Sequence, residues 1–223
     1  MGAKMGYQLP NGSTVQISKT FGDAVNITGA TTATETVLTL ASVPAGLAVG
    51  DVVLITGTWL GLHNLACKVK TIVDEDVTLR AVDTTDTESY TPGSMVGTLQ
   101  KVSAFIDYPY ITDVAKAGGD QQFATFQPLQ ADKQIQLNTY KNPVSHTFTF
   151  THDSSDEIRP VLTEADKDQS IQVVRIFNKR AKEERFYSAQ VSFDPIPSMA
   201  PNNVEVVISV LNLQSDMMFY KTS

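Results

Sequence analysis

Residues 171–193 read IQVVRIFNKRAKEERFYSAQVSF, and this stretch decides the class of fold. In its second half, apolar side chains alternate with small polar ones, which places four of them on one face: Tyr187, Ala189, Val191 and Phe193. A period of two in aromatic and β-branched residues is typical of a half-buried strand. Because two such runs flank the charged segment KRAKEER, the sequence predicts a β-hairpin with a solvated tip.

The same period appears in two further segments. SHTFTFT, residues 145–151, alternates Phe148 and Phe150 with threonines. NVEVVISVLNL, residues 203–213, is apolar on both faces, with one face formed by Val204, Val206, Ile208 and Val210. Both segments therefore read as strands, and the predicted fold is mainly β.

Residues 154–168, SSDEIRPVLTEADKD, depart from this pattern. Their apolar residues fall at helical spacing: Ile158, Val161, Leu162 and Ala165. This predicts one short amphipathic helix. Ser154 and Glu157 have the spacing of a capping box, while Pro160 disfavours a helical Arg159 and moves the expected start towards Pro160.

The composition changes between residues 29 and 100. A small polar run, TGATTATET, leads into five short strand patterns separated by the turn signals PAGLAVGD, DED and TPGS. We interpret residues 29–100 as a small inserted β-barrel. Residues 1–28 and 101–223 then form one core domain.

Bulk composition limits the function. The chain has 223 residues, 42% of them hydrophobic, and a net charge of -7. It is large enough to bury a core, and its acidity argues against a protein held on nucleic acid by a basic face. An acidic surface is instead compatible with a polyanion sliding past.

The sequence also bears on location. The opening MGAKMGYQLPNG lacks the apolar core of a secretion signal, and the apolar run Val52–Ile55 is far too short to cross a bilayer. Cys67, the only cysteine, rules out an intrachain disulfide and is expected to be an inert core residue. We expect a soluble protein made in the cytosol, with no membrane partner.

No residue pattern predicts catalysis. His146 and His152, with Asp153, could in principle hold a metal, but they bracket a strand rather than converge and no further ligand follows at a supporting spacing. The acidic clusters lie in predicted turns or at the helix start. Trp59 is either an exposed contact or, by default, a buried plug. We therefore predict no catalytic residue, no metal and no cofactor.

Two segments are candidates for assembly. The first is AGGDQQFATFQPLQADKQIQLNTYKN, residues 117–142, which is rich in amides and nearly free of charge. The second is the basic hairpin, where Lys179, Arg180, Lys182 and Arg185 could meet an acidic neighbouring subunit.

Most of the chain resembles the lambda-type tail tube proteins of long-tailed bacteriophages. The resemblance rests on the sequences of four segments and their order along the chain: residues 101–139, PVSHTFTFTHD, DEIRPVLTEADKD and residues 171–214. LAVGDVVLITGTWLGL, residues 47–62, and KVKTIVDEDVTLRAVDTTDTE, residues 68–88, resemble a small barrel inserted in one branch of that family.

The resemblance implies a β-sandwich or barrel with one flanking helix and no enzymatic activity. Six copies would form a ring, and rings would stack into a tube in the virion tail, beside other tail proteins. Genomic DNA would pass through the lumen without specific binding. A long loop that folds over a neighbour maps to residues 116–142. The resemblance implies that its contact residues are Gly118, Gly119, Gln121, Gln122, Phe123, Phe126, Gln127, Gln130, Gln134 and Gln136.

Other functions remain open on sequence alone. A tail terminator or a secretion-apparatus tube protein would share the fold. A carbohydrate-binding β module, using Trp59 and the nearby acids, is the rival from another class, and a hydrolase ranks third.

Overall fold

The computed structural model describes residues 11–130 and 132–222. The chain is mainly β, as predicted, with one α-helix and a short 3-10 turn at Leu60–Leu62. The strands are β1 (Thr14–Phe21), β2 (Val25–Ala30), β3 (Val37–Leu40), β4 (Val52–Gly57), β5 (Leu65–Val73), β6 (Asp76–Leu79), β7 (Gly97–Asp107), β8 (Ile111–Ala117), β9 (Gln121–Phe126), β10 (Ile135–Lys141), β11 (Ser145–Thr151), β12 (Ile171–Asn178), β13 (Glu183–Ser198), β14 (Val206–Leu213) and β15 (Met218–Lys221). The helix, α1, is Ile158–Asp168.

The prediction that the first twelve residues carry no secretion signal falls mostly on residues 1–10, which lie outside the described residues. Within the described ranges, no helix is both long and apolar enough to span a membrane.

The core sheet runs in the order β1-β12-β13-β14-β11-β8. Its inner face buries the alternating side chains predicted from the sequence, with Tyr187, Ala189, Val191 and Phe193 all buried. Phe148 and Phe150 join them, and α1 closes this hydrophobic core by adding Ile158, Leu162 and Ala165. Each strand contributes every second residue because successive side chains point to opposite faces.

Strand β14 is apolar on both faces, and the structure shows which one is buried. Val207, Ser209 and Leu211 point into the core, where the Ser209 hydroxyl lies 3.3 Å from the Tyr108 hydroxyl. Val206, Ile208 and Val210 lie on the outward side. The face with more β-branched residues is therefore the one that this chain leaves uncovered.

Helix α1 differs from its prediction at the N-terminus. It begins at Ile158, two residues before Pro160, and Glu157 at the N-cap makes no side-chain capping bond. Pro160 is accommodated because it lies in the first turn, where its missing N–H has no helical partner to lose. The predicted capping box is wrong, since Glu157 pairs with Lys19 instead.

The predicted β12–β13 hairpin is confirmed, but its tip is shorter than expected. Strand β13 already begins at Glu183, so the turn comprises only residues 179–182. The Asn178 side chain accepts hydrogen bonds from the backbone N–H groups of Arg180 and Ala181 and fixes this turn.

The small barrel is present and closed. Its strand order is β2-β3-β6-β5-β4-β7, and β7 returns to pair with β2. It therefore has six strands rather than the five predicted, because β2, which lies mostly before residue 29, completes it. Strands β2 and β7 both cross the expected boundaries at residues 28/29 and 100/101, and that division of the chain stays a prediction.

A third apolar cluster joins the barrel to the core sheet. Val52, Leu54 and Ala66 of the barrel meet Val173, Phe186 and Tyr220 of the core. Beside this cluster, the buried Glu184 accepts hydrogen bonds from Lys68 of β5 and Arg175 of β12. Apolar burial and a shared ion network thus fix the barrel on the sheet.

Candidate assembly site

Strands β9 and β10 form a separate two-stranded ribbon. Within the described residues, neither strand pairs with the main sheet or packs extensively against another element. Every residue of β10 is exposed. An isolated two-stranded ribbon is marginally stable in water, and the described residues give this ribbon little support beyond its own base.

The base of the ribbon is fixed by two glycines. Gly118 and Gly119 have φ values of +77° and +84°, which are rarely adopted by other residues. A Cβ on Gly118 would lie 1.8 Å from the Pro143 carbonyl oxygen. Across the base of the ribbon, the Gly119 N–H donates to the Asn142 carbonyl oxygen and the Asn142 N–H donates to the Asp120 carbonyl oxygen. The ribbon therefore leaves the core at a defined angle.

The two faces of the ribbon differ. Ile135 pairs with Phe126 and Leu137 pairs with Ala124, which places these four on one face. Gln136 and Asn138 pair with Thr125 and Phe123 on the other. We call the first the apolar face: Ala124, Phe126, Ile135 and Leu137.

Phe123 and Phe126 therefore cannot anchor the ribbon on the same surface. Phe126 is 47% exposed and Phe123 is 50% exposed, on opposite faces. Their separation of three positions already implies this in a strand with a period of two. Both phenylalanines stay candidate contact residues, but for different surfaces.

The glutamines differ in exposure. The Gln121 side chain is engaged within the ribbon, because its amide donates to the backbone oxygens of Gln122 and Tyr140 at 3.0 and 3.2 Å. Gln122 is half-buried. The others are exposed: Gln127, Gln130, Gln134 and Gln136.

The basic hairpin is also divided. Lys179, Arg180 and Lys182 are exposed at the turn. Arg185 is instead engaged within the chain, where it pairs with Glu183 and its guanidinium lies over the Phe219 ring. The structure thus brings three of the four predicted cations together at the tip.

A cleft opens at the base of the ribbon and has a volume of about 1360 Å³. It lies between β8, the chain before β15 and the 3-10 turn of the barrel. We call it the edge cleft. Its apolar lining includes Leu60, Val114, Val144 and Phe219, and Leu60 is 89% exposed. No sequence pattern indicated it, because its walls come from distant parts of the chain.

Trp59 and the acidic residues that could have formed a site for chemistry have structural roles instead. Trp59 is 3% exposed, and its indole N–H donates to Thr91 and Ser94, so it cannot stack on a sugar. Hydrogen bonds from the backbone and side chain of Thr85 lower the pKa of Asp83, as expected for an acidic turn. Among the described residues, no three His, Cys, Asp or Glu side chains form a group that could hold a metal.

The histidines do not converge. The ring of His146 lies 3.0 Å from the Tyr187 hydroxyl, and His152 contacts the Arg159 guanidinium. Burial, with the nearby charge of Lys116, lowers the pKa of His146. Both rings therefore have local partners in the core sheet and its adjoining turn.

An exposed apolar ribbon on a β-core is a feature of a protein that assembles. The sequence profile of the phage tail tube protein family matches residues 57–222. The chain belongs to the phage tail tube protein family. As a member of a structural family, this tail tube protein is a structural component of the virion tail and not an enzyme, as predicted. Its membership of the lambda-type branch stays a prediction.

Comparison with other proteins adds little. No curated protein matches this tail tube protein in sequence. Among solved structures, a chain of the anti-feeding prophage baseplate, from a six-fold symmetrised cryo-EM structure, is 10% identical. The match covers 54% of the present chain and 86% of that chain, with a TM-score of 0.34. A score of this size does not establish a shared fold.

Proposed function

We propose that this chain is the major tail tube subunit, in which six copies form a ring and the rings stack around a channel for DNA. The observation that carries the proposal is the exposed ribbon in a member of the tail tube family. A segment with apolar side chains on a fixed base gains stability only when a second surface covers it.

Ring closure is supported by the end strand of the core sheet. Strand β8 pairs with β11 on one side, and no other described strand pairs with its second edge. Strand β13 pairs with β12 only as far as Gln190, so its residues 191–198 lie beyond that pairing and offer the other edge. Because β8, β11, β14 and β13 alternate in direction, β8 and β13 run antiparallel to each other. A neighbouring copy that adds its sheet at this edge would continue an antiparallel sheet and remove an exposed edge.

DNA passage is supported by the outward face of these four strands. On β8, β11, β14 and residues 190–194 of β13, register places Thr147, Thr149, Val210 and Ser192 on this face. Its charged residues are Asp113 and Asp194, and none of the described residues on it is Lys or Arg. Phosphates would meet hydroxyls and carboxylates there, without the cationic contacts that hold nucleic acid.

The basic tip provides a second candidate contact between subunits. Lys179, Arg180 and Lys182 would meet an acidic surface of a neighbour, as proposed from the sequence. Reversing two charges, in the variant R180E/K182E, should slow assembly at low salt. Sedimentation of wild type and variant at two salt concentrations checks this, and unchanged assembly would argue against the contact.

Electron microscopy of the purified protein at high concentration tests the whole proposal. Long stacked tubes are the expected result. Isolated rings would favour a tail terminator, and particles no larger than a monomer at any concentration would contradict the tube assignment. A secretion-apparatus tube protein would also form tubes, and finding the chain in purified phage tails separates that case.

A further inference from the structure

The edge cleft is too large and too open to be a pocket for a small molecule. Its volume of about 1360 Å³ exceeds the range of about 300–1,000 Å³ found for most ligand pockets. Leu60, Val114 and Phe219 each expose more than half of their surface there. A segment of a macromolecule is the occupant that such a cleft fits.

The same chain carries a segment with the matching chemistry. The apolar face of the ribbon contains Ala124, Phe126, Ile135 and Leu137 and has no charged side chain. Moving this face into the cleft therefore desolvates no charge on the ribbon, which would cost several kcal/mol. The cleft itself carries charges of both signs at its polar positions: Asp113, Lys116, Lys141, Arg185 and Asp216. Val114 and Phe219 supply apolar surface on the receiving side.

The edge cleft adjoins the base of the ribbon of the same chain. Gly119, Lys141 and Asn142, at the base of the ribbon, form one wall of the edge cleft. Each copy thus carries a projecting element and a receiving cleft side by side, on different surfaces. Contacts between unlike surfaces of identical chains repeat, and they generate rings or open stacks rather than closed pairs.

We infer that the apolar face of the ribbon of one copy docks in the edge cleft of a second copy. This inference rests on the proposed tube function and specifies its contact. Phe126 enters the cleft near Val114, while Phe123, on the opposite face, points away from it.

Crosslinking between singly substituted chains tests the contact. Chains carrying Phe126→Cys are mixed with chains carrying Val114→Cys under conditions of tube growth and treated with a short bismaleimide. Phe123→Cys replaces Phe126→Cys in the matched control. The background is low because Cys67 is buried, and burial raises the pKa of its thiol to about 12.

The expected result is a linked dimer in clear excess for Phe126→Cys over Phe123→Cys, with mass spectrometry showing the 126–114 peptide pair. Equal yields from the two cysteines would overturn the inference. So would a 126–114 link formed within one chain carrying both substitutions, since the ribbon would then fill its own cleft.

The crosslinking experiment separates the proposed contact from the proposed tube function. Tubes that grow normally without a 126–114 link would remove the proposed contact and leave the tube function standing. Wild-type protein that forms no tubes would remove the function itself. Leu137→Asp gives an independent check, because a charge on the apolar face should abolish the link while size-exclusion chromatography shows a folded monomer.

Discussion

At Gly118 there is no room for a side chain. An alanine there would combine an unfavourable φ of +77° with a Cβ only 1.8 Å from the Pro143 carbonyl oxygen. Because backbone must move to relieve this contact, Gly118→Ala should destabilise the ribbon base by about 1–3 kcal/mol. Hydrogen exchange of the Gly119 and Asn142 amides measures the effect.

Gly119→Ala is the matched control. Its φ of +84° is equally unfavourable, but its nearest neighbour would lie at an ordinary 3.5 Å. The substitution at Gly119 should therefore cost less than that at Gly118. Equal costs would mean that φ alone, rather than the contact with Pro143, requires glycine at the base.

Glu184 is a buried carboxylate whose pKa reflects two opposed effects. Burial alone would raise the pKa, but hydrogen bonds from Lys68 and Arg175, and then their charges, outweigh it and hold the pKa below 4.5. The resulting stabilisation is present above the unfolded-state pKa and is lost as pH falls through the folded-state pKa.

Glu184→Gln should therefore lower the free energy of unfolding by about 3 kcal/mol at neutral pH, because it leaves two cations without their carboxylate. The loss should shrink as the pH falls below the ordinary value of 4.5. Urea titrations across this range measure it. Lys70→Ala, which breaks the exposed pair with Glu35, should cost only about 0.5 kcal/mol.

The ribbon can be removed without disturbing the rest of the fold. Asp120 and Asn142 are joined by a backbone hydrogen bond of 2.9 Å, so a two-residue Asn-Gly turn can replace residues 121–141. The shortened chain should keep its circular dichroism spectrum and thermal midpoint but form no tubes in electron micrographs. Tubes of normal length from this variant would contradict the role of the ribbon.

The sequence predicts the positions of the strands better than it predicts which face of each strand is buried. The alternation in β13 identified its buried side chains because its other face carries Ser188, Gln190 and Ser192. In β14 both faces are apolar, and only the folded structure shows that Val207, Ser209 and Leu211 form the buried face. The edge cleft could not be predicted, because Leu60, Val114 and Phe219 meet only in the folded chain.

For the whole molecule, the outward face of β8, β11, β14 and β13 leads to a prediction about DNA. Phage assembled with Thr147→Lys/Thr149→Lys should form tails of normal length but eject DNA more slowly, most clearly at low salt, because each lysine adds a phosphate contact. A fluorescence assay of ejection measures the rate. Thr163→Lys, on the exposed side of α1, is the control, and equal rates in both variants would contradict a channel lined by this face.

Strand β7 belongs to both the barrel and the core sheet, and this limits where residues can be inserted into or deleted from the chain. Residues 97–101 pair with β2 and β4 of the barrel, while residues 102–107 pair with β1 of the core sheet. A single residue inserted midway would turn every later side chain to the opposite face. Leu99 and Val102, buried on the two sides of that junction, could not then both stay inside. Insertions and deletions should therefore accumulate in the exposed turns of the barrel and be excluded from β7.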